Sequence, residues 1–209
     1  MSTNSQDQEI DLRQIGTGIK NFFREQLPPH AFKLTGFYER LYLYQSYCWF
    51  AFIRQDFLMY YRYTQKWVDL FHEQPAMIGV DTGHYIKGMH NLLNAHFDLR
   101  NYKKFASTLK QFQQFANSEV ANRYDNNRVQ TFVYIKSALL NQHIILGTFK
   151  EGLLQVKEVE QRLAEYAIYL DRHRILVFNY KIATLHFGAG NYEKCIDYLR
   201  KIINDHVDL

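Results

Sequence analysis

The sequence predicts an all-α fold built from helix–turn–helix units. Helix breakers are scarce, with ten glycines and three prolines in 209 residues, and this composition favours long helices. Apolar residues recur at the spacing of one helical face, and no segment keeps the alternation typical of a strand. Residues suited to cap a helix N-terminus recur along the chain at similar intervals. Together these observations predict helices that come in pairs.

The N-terminal segment precedes the first predicted pair. Residues 1–9 are polar and acidic, and we expect a disordered tail there. Residues 10–35 are predicted to hold a capping helix and a linker, because the helix would end at Pro28-Pro29. Its apolar face would cover the exposed end of the row of helix pairs that follows. This face consists of Ile15, Ile19, Phe22 and Phe23.

Four later segments align on an aromatic residue. The aromatics are separated by 45, 47 and 43 residues and are Phe57, Tyr102, Phe149 and Tyr192. Each follows a residue whose side-chain oxygen can accept an N–H of the first helical turn. These predicted N-caps are Asp56, Asn101, Thr148 and Asn191.

A second amphipathic segment lies before each cap, so each unit is predicted to be helix, tight turn, helix. Gly147 and Gly190 fit the left-handed position that ends a helix, and Gln55 and Arg100 replace glycine in the other two turns. The predicted units are about 36–78, 79–125, 126–170 and 171–209. We expect loops at Pro75–Gly83 and Ser118–Asn127, and a helix capped by Asp171.

The last unit carries a family resemblance. Ile182 and Ala183 are a large and a small apolar residue, Gly190 occupies the turn, and Tyr192 is followed by the small Cys195. This pattern resembles the tetratricopeptide repeat, with a period about ten residues longer than the usual 34. The resemblance covers about Gly36 to the end. It implies an α-α superhelix, a solenoid of antiparallel helix pairs.

The last predicted helix still presents apolar positions and has no polar capping helix after it. We therefore expect one of two situations. Either the chain is part of a longer array, or it self-associates through this C-terminal helix.

Three histidines occupy equivalent positions of the predicted units, namely His96, His143 and His186. Packed helices lie about 8–10 Å apart, whereas zinc needs each nitrogen about 2.0–2.1 Å away. Equivalent positions in successive units cannot meet that condition. We predict packing residues and no metal site.

No motif indicates catalysis or a cofactor. The segment Phe71–Ala76 resembles a zinc-protease helix, but Ala76 stands where the second histidine is needed. Gly16–Asn21 lacks the third glycine of a dinucleotide loop. We therefore predict no catalytic residue, no cofactor and no enzymatic activity.

The composition indicates which classes of partner and which cellular compartment are favoured. The net charge is +4, and the basic residues are scattered instead of forming a stripe, so a nucleic-acid partner is not favoured. The longest apolar run, Tyr47–Ile53, is too short for a membrane helix. Cys48 and Cys195 fall on apolar faces, which is typical of free thiols in a reducing compartment. No signal peptide is seen, and we expect a cytoplasmic protein.

An aromatic-rich block spans residues 36–71. It is either a thick junction between the N-terminal segment and the first unit or an exposed anchor surface for a partner.

The family resemblance implies that the first helix of each pair lines a concave, ligand-binding surface. Mapping that face onto this chain selects Lys87, His90, Asn94, Tyr134, Ser137, Asn141, Tyr180 and Thr184. Amide side chains such as Asn94 and Asn141 can both donate to and accept from a peptide backbone. The leading hypothesis is a non-enzymatic module that binds a protein or peptide as a scaffold or regulator. The alternatives are a nucleic-acid-binding helical repeat and a regulatory or sensory domain of a larger signalling protein.

Overall fold

The computed structural model of the protein describes residues 36–207, and these are helical with no strand among them. The prediction of an all-α fold is confirmed for this range. The expected N-terminal tail, capping helix and linker, residues 1–35, lie outside the described residues.

The helices follow one another with short connections. They are α1 (Phe37–Ile53), α2 (Phe57–Glu73), α3 (Ala76–Val80), α4 (Thr82–Asp98), α5 (Tyr102–Ala116), α6 (Glu119–Asn122), α7 (Asp125–Leu146), α8 (Phe149–Leu153), α9 (Val156–Glu165), α10 (Arg172–Gly188) and α11 (Tyr192–Val207), with a 3-10 turn at Ala167–Tyr169.

Four helix–helix turns share one backbone conformation. The residue before each predicted cap has a positive φ, namely 55° at Gln55, 56° at Arg100, 68° at Gly147 and 79° at Gly190. The N–H of the following residue donates to the carbonyl five residues back, for example from Asn191 to His186 over 2.8 Å. Left-handed residues therefore end all four helices, as predicted, and two of them are not glycine.

The predicted caps differ in their bonding. Asp56 and Asn101 accept the N–H of Met59 and Lys104, as expected of N-caps. The Thr148 prediction is wrong: its side chain makes no capping bond, because its hydroxyl lies 2.8 Å from Nδ1 of His143 instead. Asp171 caps α10, with its Oδ1 2.8 Å from the N–H of Arg174.

The two expected loops are largely helical, so those predictions are wrong. The first contains α3 and the start of α4, and the second contains α6 and the start of α7. Ser118 accepts the N–H of Ala121 and so satisfies a first-turn donor of the short helix α6, and Asp81 accepts the N–H of His84 at the start of the long helix α4. Helix α3 begins after Pro75 without a side-chain cap.

The chain divides into two compact units, Met1–Leu70 and Phe71–Leu209. In the first, Leu41, Ala51 and Trp67 are buried, and the ring of Tyr47 stacks on that of Tyr63 at 4.2 Å. Several large apolar side chains of this unit are exposed by about half or more, namely Tyr42, Trp49, Phe52, Phe57 and Leu58. The aromatic block therefore supplies both core and surface.

In the second unit, α4 contacts α5 and α7, α7 contacts α10, and α10 contacts α8 and α11. The first helices of successive pairs, α4, α7 and α10, are thus consecutive neighbours. The core between the helices contains Phe105, Phe112, Leu140, Val159, Phe178 and Leu185.

The three equivalent histidines serve packing. His96 and His186 are buried, and the ring of His186 stacks on Tyr198 with centroids 5.5 Å apart. His143 is partly buried and contacts Thr148 and Gln155.

Within residues 36–207, every helix is too short or too polar to cross a lipid bilayer.

Candidate binding face

Helices α4 and α7 meet through a ring stack. The imidazole of His90 on α4 lies over the phenol ring of Tyr134 on α7, with centroids 3.8 Å apart and planes 8° from parallel. One turn further along α4, Nδ2 of Asn94 lies 3.2 Å from Nε2 of His90. An amide N–H can donate to this nitrogen only while the imidazole is neutral.

Helix α10 contributes an arginine to the same stack. The guanidinium carbon of Arg174 lies 4.7 Å from the centroid of the Tyr134 ring, and Nη2 donates to the Tyr134 hydroxyl over 2.8 Å. Asp171 at the start of α10 caps the Arg174 N–H and lies 3.5 Å from its Nε. Arg174 therefore joins α10 to α7 through a cation–π contact and a hydrogen bond.

A lysine on α10 makes the second link to α7. The amine of Lys181 donates to Oδ1 of Asn141 over 2.7 Å and to the carbonyl of Ser137 over 3.3 Å. Both acceptors are neutral. We call His90, Asn94, Tyr134, Ser137, Asn141, Arg174 and Lys181 the three-helix polar cluster.

Burial and like charge set the protonation states in the cluster. Burial, and after it the nearby charges of Lys181, Arg174 and Lys87, lower the pKa of His90 to about 3. Burial also lowers the pKa of Lys181 to about 7. Both shifts penalise the charged form. At neutral pH the histidine is therefore an uncharged acceptor, and the lysine titrates near physiological pH.

A cavity of about 210 Å³ opens beside the stack. His90, Tyr134, Ser137, His173, Arg174 and Phe178 are among its lining residues. The cavity thus presents a guanidinium and imidazole nitrogens beside buried aromatic rings. The polar groups can bind a ligand by hydrogen bonding and charge.

The structure brings five of the eight predicted site residues together, namely His90, Asn94, Tyr134, Ser137 and Asn141. Lys87 is exposed on α4, and its charge acts on His90. Tyr180 is 62% exposed, and Thr184 donates its hydroxyl to the Tyr180 carbonyl. No contact in the described residues ties Tyr180 or Thr184 to the polar cluster.

The sequence reasoning missed Arg174 and Lys181. Position matching along the units selected Tyr180 on α10, but the residue that reaches α7 is the next one, Lys181. A signal was present, because Arg174, Phe178 and Lys181 share one helical face at spacings of four and three residues. Two basic residues flanking a phenylalanine that is 1% exposed indicate cations directed toward a neighbouring helix.

A second concavity, of about 450 Å³, lies among α5, α7 and α9. Its charged groups are already paired: Lys136 with Glu158 over 2.7 Å, Arg128 with Asp125 and Arg162 with Glu165. It therefore offers a ligand less uncompensated charge than the three-helix polar cluster does.

The described chain is an all-helical protein whose polar side chains from three neighbouring helices converge on one face. Among residues 36–207, no group of three or more histidines, cysteines or carboxylates is placed to hold a metal ion. No protein-family model, curated protein or solved structure matches this chain.

Proposed function

We propose that this protein is a non-enzymatic interaction module with a tetratricopeptide-like arrangement of helix pairs, and that the face carried by α4, α7 and α10 binds an extended segment of a partner protein. The observation that carries the proposal is the three-helix polar cluster itself. The His90–Tyr134 stack, the Arg174 hydrogen bond and the Lys181–Asn141 hydrogen bond join side chains from three consecutive helices.

The charge of this face favours a partner segment that carries carboxylates. The charges of Lys87, Arg174 and protonated Lys181 act on His90, and no carboxylate is among the causes of its pKa shift. Asp171 pairs with Arg174 but lies at the solvent-exposed start of α10. A carboxylate entering the face would gain from this positive potential, and charge-assisted hydrogen bonds are the stronger kind.

The exposed Tyr180, on the same helix as Arg174 and Lys181, supplies contact area. Tyr180 is mostly exposed and can pack on a peptide with little loss of conformational freedom, as aromatic side chains do at interfaces. Asn94, half-buried on α4, carries an amide that can bond the peptide backbone.

The test is selection of ligands from a random dodecapeptide display library on the full chain, followed by titration of the selected peptides. We expect enriched peptides to contain acidic residues and to bind about tenfold more weakly, or about 1.4 kcal/mol, to Lys87→Glu and to Tyr180→Ala. Asn94→Ala should also weaken binding. Lys110→Glu and Tyr124→Ala alter equally exposed residues away from the face and serve as matched controls.

Two results would reject the proposal. The first is that selected peptides bind the face variants and the wild type equally. The second is that the chain binds generic single-stranded nucleic acid with a steep salt dependence while selecting no peptide, which would favour the nucleic-acid alternative.

A further inference from the structure

An apolar stripe runs along α11 beside its packed side. The large apolar residues on it are Tyr192, Ile196, Leu199 and Ile203, exposed by 60%, 48%, 39% and 61%. Their spacings of four, three and four residues place them on one face of the helix. The neighbouring side of α11 is used for packing, with Cys195 buried and Tyr198 stacked on His186.

Phe187 at the end of α10 extends the stripe. It is 63% exposed, and its ring lies 5.7 Å from that of Tyr192 in an edge-to-face contact. The five side chains expose on the order of 600 Å² of apolar surface, since one aromatic side chain accounts for about 150–250 Å² when fully buried. A patch of this size lies at the upper end of the range for monomeric proteins, where such patches are often interaction sites.

We propose that this stripe is the interface of a homodimer, in which α11 of one protomer pairs antiparallel with α11 of its partner around a two-fold axis. About 600 Å² from each copy gives about 1,200 Å² in total, the lower limit for a specific, stable interface. This proposal is independent of the peptide-binding face on α4, α7 and α10.

The order of residues along the stripe fits such a pairing. Because the spacing reads the same in both directions, an antiparallel partner places Tyr192 opposite Ile203 and Ile196 opposite Leu199. Every apolar layer is thereby filled from both sides, as the isologous contact of a two-fold dimer requires. Antiparallel pairing also sets the helix dipoles against one another.

The charges beside the stripe are complementary in the same register. Glu193 and Arg200 are seven residues apart and lie on the same flank of the stripe, both exposed. In the antiparallel pair, Glu193 of each protomer faces Arg200 of the other, which gives two opposite-charge pairs across the axis. Arg200 is 3.6 Å from Asp197 within its own helix, with 70% of its side chain exposed, so it remains accessible to a partner.

Sedimentation equilibrium of the full chain tests the proposal. We expect a dimer at about 50 µM protein, consistent with the micromolar affinity of an interface of this size. Ile196→Glu should be a monomer with an unchanged helical circular-dichroism spectrum. Leu154→Glu replaces a side chain that is 83% exposed but lies outside the stripe, and should remain a dimer.

Charge reversal tests the register. Glu193→Arg and Arg200→Glu should each raise the dimer Kd about tenfold, because each brings like charges together. The double variant Glu193→Arg/Arg200→Glu should return the Kd to within about threefold of the wild type. A wild-type monomer at 100 µM, a dimer unaffected by Ile196→Glu, or a double variant as weak as the single ones would overturn the proposal.

Discussion

The protonation of His90 makes the stability of the protein depend on pH. The Nε2 of His90 accepts from Asn94 only as the neutral form, and burial holds its pKa at about 3. In the unfolded chain the pKa returns to about 6.5, so the unfolded state binds more protons between pH 6.5 and pH 3. The stability that neutral His90 contributes is therefore present above pH 6.5 and is lost as the pH falls through this window.

Substitution of His90 by phenylalanine should remove this dependence while keeping a ring on Tyr134. Between pH 6 and pH 4 we expect the wild type to lose up to about 1.4 kcal/mol per pH unit more than His90→Phe. Urea unfolding at each pH measures the difference. The exposed His72→Phe is the matched control and should follow the wild type. If the free energies of unfolding of wild type and His90→Phe fell in parallel with pH, folding would not lower the pKa of His90.

Lys181 makes stability depend on pH in a higher range than His90 does. Burial lowers its pKa from 10.5 to about 7, so the unfolded chain binds more protons between pH 7 and pH 10.5. The destabilisation caused by the buried charge is therefore fully present below pH 7 and decreases as the pH rises. His90 on α4 stays neutral across this range and does not add to the slope.

We expect the wild type to gain about 1 kcal/mol per pH unit relative to Lys181→Met between pH 7.5 and pH 9.5. The methionine keeps the unbranched stem and removes the amine. Urea midpoints across this range measure the effect, with the exposed Lys110→Met as the control. If the difference between Lys181→Met and the wild type does not vary with pH, the Lys181 amine is solvated and not buried against Asn141.

At the scale of helices, the packing of α8 against α10 depends on a residue without a side chain. A Cβ atom on Gly188, the last residue of α10, would overlap the ring of Phe149. We expect Gly188→Ala to destabilise the protein by about 1–3 kcal/mol, the range for overpacking. Thermal unfolding measures it. Gly79→Ala in α3 meets no atom within 4 Å and should be neutral or slightly stabilising. Equal effects of the two substitutions would contradict this packing.

The helix pairs could be predicted because their signals are local. A positive φ at Gln55 and Arg100 follows from their position between an amphipathic segment and a cap, even without glycine. The short helices α3 and α6 could not be predicted, since α3 begins after a proline without a side-chain cap and α6 has the single cap Ser118 beside several loop-forming residues. The bonding of Thr148 could not be predicted either. A hydroxyl at this position can bond either a first-turn N–H or a neighbouring side chain, and in the structure it lies beside His143.

At the scale of the whole molecule, neighbouring helices do not align by sequence position alone. The sequence predicted that His90, Asn94, Tyr134, Ser137 and Asn141 share one face, and they lie together, since the 3.6-residue period fixes the direction of each side chain on its own helix. It did not predict that Arg174 and Lys181 contact α7, because which residue of α10 reaches α7 depends on how those helices cross. That crossing is set by packing around buried Phe178 and Leu185.

Dimerisation should make the thermal stability of the whole chain depend on protein concentration. Since association stabilises the folded form by mass action, a tenfold rise in protein concentration should raise the Tm by about 1–2 °C. Ile196→Glu should remove this concentration dependence. Differential scanning calorimetry at 5 and 50 µM measures it. A concentration-independent Tm for the wild type would contradict a dimer in this range.

We propose that α4, α7 and α10 together form the ligand-binding surface. Hydrogen–deuterium exchange on the full chain, with and without a selected acidic peptide, tests it most directly. We predict added protection within residues 82–98, 125–146 and 172–188, and none within α5, α9 or α11. Protection confined to α5, α9 and α11, or spread evenly over the chain, would rule out this binding surface.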